Sequence, residues 1–113
     1  MEIKQHPAFQ SFVQILARGG VKKMLELGII SHLRELTPEK FRQVVQVAKD
    51  SGQNALAFQD EVKGEMSEFV NSQPGEVVQQ LIQLFTSGAQ CQRGLVFVAM
   101  QEMAKQEELV SAA

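Results

Sequence analysis

The chain has 113 residues, of which 44% are hydrophobic and 21% are charged, a composition that suits one globular domain spanning residues 1–113. A lone cysteine, Cys91, excludes an internal disulfide, and together with two histidines it supplies too few ligands for a structural zinc site. The sequence has no long apolar run, so we expect neither a signal peptide nor a membrane span, and a single thiol fits a reducing compartment such as the cytoplasm.

The start of the chain predicts two helices separated by a glycine pair. Pro7 suits the first turn of a helix, and one apolar stripe follows it at helical spacing. Gly19-Gly20 is expected to end this helix. A short second helix then covers residues 21–25 and stops at Gly28, because glycine suits the left-handed position that follows a helix. The stripe of the first helix consists of Phe9, Phe12, Val13 and Leu16.

The next helix has the clearest start signal in the chain. Ser31 is expected to cap a brief helical turn that reaches Leu36. In Thr37-Pro38-Glu39 the threonine caps a helix, the proline takes its first position and the acid lies in its first turn. This helix is expected to end at a serine–glycine pair. Its stripe is Phe41, Val44, Val45 and Ala48, and the pair is Ser51-Gly52.

The second half predicts three more helices. A fourth helix covers residues 55–70, although Gly64 lies within it, and the last covers residues 89–110. Because the last helix is apolar on nearly all sides between Leu95 and Met100, we expect it in the middle of the core. The turns are Pro74-Gly75 and Ser87-Gly88. The stripes of the fourth and fifth helices are Ala55, Phe58, Val62, Met66, Phe69, Val70 and Val78, Leu81, Ile82, Phe85.

These elements predict an all-α fold, a compact bundle of five to six helices. The alternation typical of a strand is absent. A shift of 57 residues aligns parts of the two halves, and each half then has the order helix, short helix, longer helix. This order indicates two pseudo-repeated three-helix halves. The alternative is that any two amphipathic helices align in hydrophobicity.

The charge is divided between the halves. Residues 1–49 carry eight Lys or Arg and four Asp or Glu, a net charge of +4. Residues 50–113 carry three Lys or Arg and nine Asp or Glu, a net charge of −6. Opposite charges of this kind allow two copies to pair, head to tail or about a twofold axis. The first half holds a basic cluster of Arg18, Lys22 and Lys23, and the second an acidic ridge of Glu61, Glu65 and Glu68, expected to be a solvated face.

Two other features are candidate sites. Cys91 lies in the first turn of the last helix near Arg93, where a lowered thiol pKa would make it reactive; the alternative is a small residue without a role. Gln79, Gln80 and Gln83 form an uncharged polar strip that mildly favours a protein contact. We identify no catalytic residues, metal ligands or cofactor motif.

The function predicted first is a non-enzymatic helical protein-interaction module: an adaptor, an inhibitor or a self-associating homodimer. The alternatives are a nucleic-acid-binding regulator and a ligand-binding bundle. The regulator would use the basic cluster with Lys40 and Arg42. The bundle would have an apolar pocket between helices. The residues predicted to line that pocket are Phe58, Met66, Phe97 and Met100.

Overall fold

The computed structural model describes the backbone of residues 2–51, 55–87 and 89–112, and the side chains of residues 2–51, 58–86 and 93–106. Within these ranges the chain forms five α-helices and no strand, which confirms the all-α bundle, and none of its helices is long and apolar enough to cross a membrane. The helices are α1 (Pro7–Glu26), α2 (Pro38–Asp50), α3 (Lys63–Ser72), α4 (Gly75–Ser87) and α5 (Ala89–Ala112). Short 3₁₀ helices occupy Ile3–Gln5 and Leu33–Glu35, and a longer one, called the 3₁₀ segment below, occupies Ala55–Val62.

The central element of the bundle is α1. It contacts the 3₁₀ segment and all four other α-helices. The last helix was expected in this position, and that prediction is wrong. Helix α5 buries Val96 and Met100 completely, but Leu95 is 36% exposed and Val98 is 54% exposed. Its apolar residues therefore form two faces, of which only one packs into the core. The buried apolar residues of α1 are Ala8, Phe9, Phe12, Val13, Ile15, Leu16, Ala17, Val21 and Met24.

The Gly19-Gly20 pair lies inside α1, so the predicted helix end at this pair is wrong. Both glycines are buried. A Cβ atom on Gly19 would overlap the backbone carbonyl oxygen of Phe58, and one on Gly20 would lie 3.3 Å from the sulfur of Met100. The pair thus lets the 3₁₀ segment and α5 approach α1 closely. Tertiary packing here outweighs the low helix propensity of glycine.

Helix α1 ends where Gly28 predicted. Gly28 has a φ of +75°, the left-handed conformation that suits glycine. The N–H of Ile29 donates to the carbonyl of Met24 at 2.9 Å, and the N–H of Gly28 donates to the carbonyl of Leu25 at 3.2 Å. These two hydrogen bonds form a Schellman motif, which satisfies carbonyls that the end of the helix leaves unpaired.

Helix α2 begins as its start signal predicted. The Thr37 hydroxyl accepts a hydrogen bond from the N–H of Lys40 at 3.2 Å, and Pro38 takes the first helical position. Most of the predicted stripe is buried, which anchors this helix to the core. Its buried residues are Phe41, Val44 and Ala48.

The predicted fourth helix is two elements. The 3₁₀ segment ends at Val62, whose φ of −132° and ψ of 41° lie outside the helical region, and α3 begins at the next residue. The apolar spacing was correct for most of the stripe, but Val70 is 39% exposed and the side chain of Ala55 lies outside the described residues. The stripe residues that are buried are Phe58, Val62, Met66 and Phe69.

The two halves do not share the predicted order of helices. Residues 7–26 form one helix, whereas the segments aligned with them are divided between α3 and α4. The prediction of two three-helix halves is therefore wrong, because it depended on a helix end at the glycine pair. The start of α4 at Gly75, directly after Pro74, agrees with the prediction, and Gly52 and Gly88 lie outside the described residues.

Phenylalanine rings connect the elements across the core. The ring of Phe12 lies 5.0 Å from that of Phe85, edge to face, and 5.7 Å from that of Phe69. Elsewhere in the core, the ring centroids of Phe41 and Phe97 lie 4.9 Å apart. Aromatic pairs at these distances contribute about 0.5–1.5 kcal/mol each beyond the area they bury. They tie α1 to α3 and α4, and α2 to α5.

Candidate interaction surface

The predicted basic cluster and acidic ridge contact each other within the chain. Arg18 Nε lies 2.7 Å from Glu65 Oε2, and the Nζ atom of Lys22 lies 3.8 Å from Glu65 Oε1. Lys23 Nζ lies 3.7 Å from Glu61 Oε1. These ion pairs join α1 to the 3₁₀ segment and α3. The opposite charges of the two halves are therefore partly neutralised inside one molecule.

The acidic ridge is thus not one solvated face. The side chain of Glu61 is only 20% exposed and that of Glu65 is 40% exposed, both turned toward α1. Glu68 lies exposed on α3. The ridge was predicted from helical spacing across residues 61–68, and that spacing is interrupted where the 3₁₀ segment meets α3.

Glu61 also faces a second carboxyl group. A hydrogen bond with the Glu26 side chain raises the pKa of Glu61, and burial and the negative charge of Glu26 act in the same direction. The ammonium group of Lys23 lowers this pKa, but less than the other effects raise it. The C-terminal end of α1 and the 3₁₀ segment therefore meet through two acids beside one lysine.

Glu35 closes the turn between α1 and α2. Burial acts to raise its pKa, but hydrogen bonds from the N–H groups of His32 and Ser31 and the charge of Lys40 outweigh this and lower it. The carboxylate accepts these hydrogen bonds at 2.8 and 3.1 Å, and Lys40 Nζ lies 3.7 Å away. Ser31 therefore donates its backbone N–H here, and His32 rather than Ser31 is the cap residue of the turn.

A groove of about 420 Å³ runs between α1 and α5 and is called the α1–α5 groove below. Its apolar floor is formed by both helices, and it contains the exposed side chains of Leu95 and Val98. Around the floor lies a polar rim in which glutamine predominates. The floor residues are Phe9, Val13, Leu95, Val98, Ala99 and Met103, and the rim residues are Gln10, Gln14, Arg18, Glu102 and Gln106.

A second depression of about 410 Å³ lies along the 3₁₀ segment and α3. It is more open, and its apolar lining is limited to Met66 and Val70 among polar residues. Of the four residues predicted to line an apolar pocket between helices, Met66 alone lines one of these two depressions. Phe58 and Met100 are 1% and 0% exposed, so they fill the core.

The predicted glutamine strip is on α4, away from the α1–α5 groove. Gln79, Gln80 and Gln83 are exposed, and the backbone carbonyl of Gln83 accepts a hydrogen bond from the Thr86 hydroxyl at 3.2 Å. The glutamines that line the groove were missed. Gln10 and Gln14 alternate with Phe9 and Val13 along α1, and this pairing of an apolar and an amide side chain, repeated after one helical turn, could have indicated the edge of a contact surface.

Among the side chains that the structure describes, no three histidine, cysteine, aspartate or glutamate residues are grouped to hold a metal ion. The side chain of Cys91 lies outside the described residues. Comparison of the chain with protein-family models, with curated proteins and with solved structures finds no match. The α1–α5 groove, with its apolar floor and polar rim, is the candidate interaction site.

Proposed function

We propose that this protein is a non-enzymatic protein-interaction module that binds a helix in the α1–α5 groove. The observation that carries the proposal is an apolar floor with exposed Leu95 and Val98, enclosed by a polar rim. An amphipathic helix docks in such grooves by placing apolar side chains on the floor at helical spacing, while its polar face stays in water. An apolar centre with a polar rim is also the usual anatomy of a protein interface.

The groove is formed by two helices that are each anchored in the core. Its α1 side belongs to the central helix, where Phe9 and Val13 are 4% exposed. On the α5 side, fully buried Val96 and Met100 hold the helix against the core while Leu95 and Val98 face outward. A preformed surface loses less conformational entropy on binding than a surface that must first order.

The nucleic-acid alternative has less support. Its main cations, Arg18, Lys22 and Lys23, each lie within 4 Å of a carboxylate oxygen of Glu61 or Glu65, which reduces the positive potential available to phosphates. The ligand-binding alternative is weakened because three of its four predicted pocket residues, Phe58, Met66 and Met100, are buried in the core. A cytoplasmic location is part of the proposal and rests on the single cysteine.

The proposal is tested by NMR titration of the isotope-labelled chain at low micromolar concentration. The probe is a synthetic amphipathic helix with leucines on one face and glutamines on the other. We expect saturable shifts of the amide signals of Val13, Leu95, Val98 and Met103. Val98→Glu should abolish them, because it places a charge on the apolar floor.

The control variant is Val47→Glu, which adds the same charge at a 38% exposed valine on α2 outside the groove, and it should leave peptide binding intact. Shifts confined to the depression along the 3₁₀ segment and α3, or no shifts at all, would contradict the proposed function.

A further inference from the structure

Resting on this proposed function, we propose that the natural occupant of the α1–α5 groove is a second copy of the chain. The two copies would pair about a twofold axis, with the α1–α5 face of one against the same face of the other. In such an isologous contact every residue near the axis meets its own counterpart, so the surface must be complementary to itself.

The rim of the groove meets this requirement. Three of its five described residues are glutamines, whose amide both donates and accepts a hydrogen bond. A glutamine can therefore pair with the same glutamine of another copy, whereas lysine or glutamate at these positions would meet a like charge. The three are Gln10, Gln14 and Gln106.

The charged residues of the rim are also self-complementary. Among its described side chains the rim contains one cation, Arg18, and one anion, Glu102. Arg18 is paired with Glu65 at 2.7 Å, and Glu102 lies 3.5 Å from Lys105. The rim therefore presents no net charge that would repel a copy or select a strongly charged foreign partner. A twofold contact can also bring Arg18 of one copy toward Glu102 of the other.

The floor has the shape and extent that a helical pair needs. Leu95 and Val98 project from α5, and the small side chain of Ala99 beside them leaves room for a facing side chain. Met103 is flexible enough to fill the remaining space. The groove extends along residues 9–18 of α1 and 95–106 of α5, about 15 Å of each helix, which corresponds to between two and three helical turns for a facing copy to pack against.

The pairing proposed here differs from attraction between oppositely charged halves. The charges that would drive such attraction contact each other within the chain, through Arg18, Lys22 and Lys23. Association through an apolar floor and an uncharged rim should therefore depend little on salt. We expect the dissociation constant to change by less than about threefold between low and half-molar sodium chloride.

Sedimentation equilibrium of the full chain, from low micromolar to near millimolar concentration, tests this inference. The wild type should form a dimer. Val98→Glu and Leu95→Glu should each raise the dissociation constant at least about tenfold, since each places a charge in the contact. Both side chains are exposed, so circular dichroism should show unchanged helicity. The control Val47→Glu should dimerise as the wild type does.

A second variant tests whether the partner is a copy. Gln10→Glu combined with Gln14→Glu adds two like charges to each copy, so dimerisation should weaken about tenfold at low salt and recover at high salt. If the wild type stays monomeric, the inference that a second copy occupies the groove is wrong, but the proposed function stands as long as the peptide still binds.

If Val98→Glu and Leu95→Glu leave the dissociation constant of the dimer unchanged, the dimer interface lies outside the groove and the inference is also wrong. A monomer that binds no peptide contradicts both.

Discussion

Gly19 and Gly20 are neighbours in the sequence, but their surroundings impose different constraints. Gly19 faces the backbone of the 3₁₀ segment at Phe58, which cannot move without displacing the segment. Gly20 faces the side chain of Met100, whose thioether end can change rotamer. Only the first position therefore requires glycine, and the second tolerates a small side chain.

We expect Gly19→Ala to lower the free energy of unfolding by about 2 kcal/mol or more, because the added methyl group overlaps a carbonyl oxygen. The matched variant Gly20→Ala should stay within about 1 kcal/mol of the wild type, since the helix propensity of alanine offsets a small shift of Met100. Chemical denaturation followed by circular dichroism measures both. Equal losses for the two variants would contradict the close approach of Phe58 to Gly19.

Glu61 gives a prediction about pH. Because contact with the Glu26 carboxyl raises its pKa in the folded protein, the protonated form of Glu61 favours folding, and this contribution is lost as the pH rises through the folded pKa. Glu61→Gln removes the titration. Its melting temperature relative to the wild type should therefore increase as the pH is raised from about 4 to about 7.

The control for this pH series is Glu68→Gln, which removes one carboxylate from an exposed position on α3. The difference in melting temperature between Glu68→Gln and the wild type should change little over the same pH range. If the melting temperature of Glu61→Gln relative to the wild type instead falls as the pH rises, Lys23, and not Glu26, dominates the environment of Glu61.

At the scale of elements, capping chemistry could be predicted but glycine inside a helix could not. The start of α2 at Thr37-Pro38 and the end of α1 at Gly28 follow from local hydrogen bonding, which a short sequence encodes. The need for glycine at position 19 comes from its contact with the backbone of Phe58, 39 positions later in the sequence, and no local sequence pattern indicates that contact. The apolar run of α5 gave the wrong prediction of a central helix for a related reason. The spacing of apolar residues alone does not distinguish a face that packs into the core from an exposed apolar face.

The ion pairs between α1 and α3 are also a property of elements. Arg18 and Glu65 are each 40% exposed, so water screens their attraction despite the 2.7 Å distance. A double-mutant cycle with Arg18→Ala and Glu65→Ala should give a coupling energy below about 1 kcal/mol. A coupling of several kcal/mol would mean that this pair, rather than apolar packing, holds α3 in place.

At the scale of the whole molecule, the candidate site combines residues that the sequence separates widely. The charged groups were recognised individually, but their mutual contact depends on the path of the chain between residues 23 and 61, which periodicity does not encode. The α1–α5 groove joins residues about 90 positions apart for the same reason. Composition and spacing therefore predicted the fold class and much of the core, and tertiary geometry was needed for the groove.

The in-chain contact of the basic cluster with Glu61 and Glu65 has a consequence for the folding reaction. In the unfolded chain a segment of charge +4 is tethered to one of charge −6, so the two attract each other before any side chain is packed. This attraction favours collapsed conformations in which the two halves are close together, and it offsets part of the entropic cost of closing the long loop between them. We therefore expect the uneven distribution of charge to favour contact between the two halves early in folding.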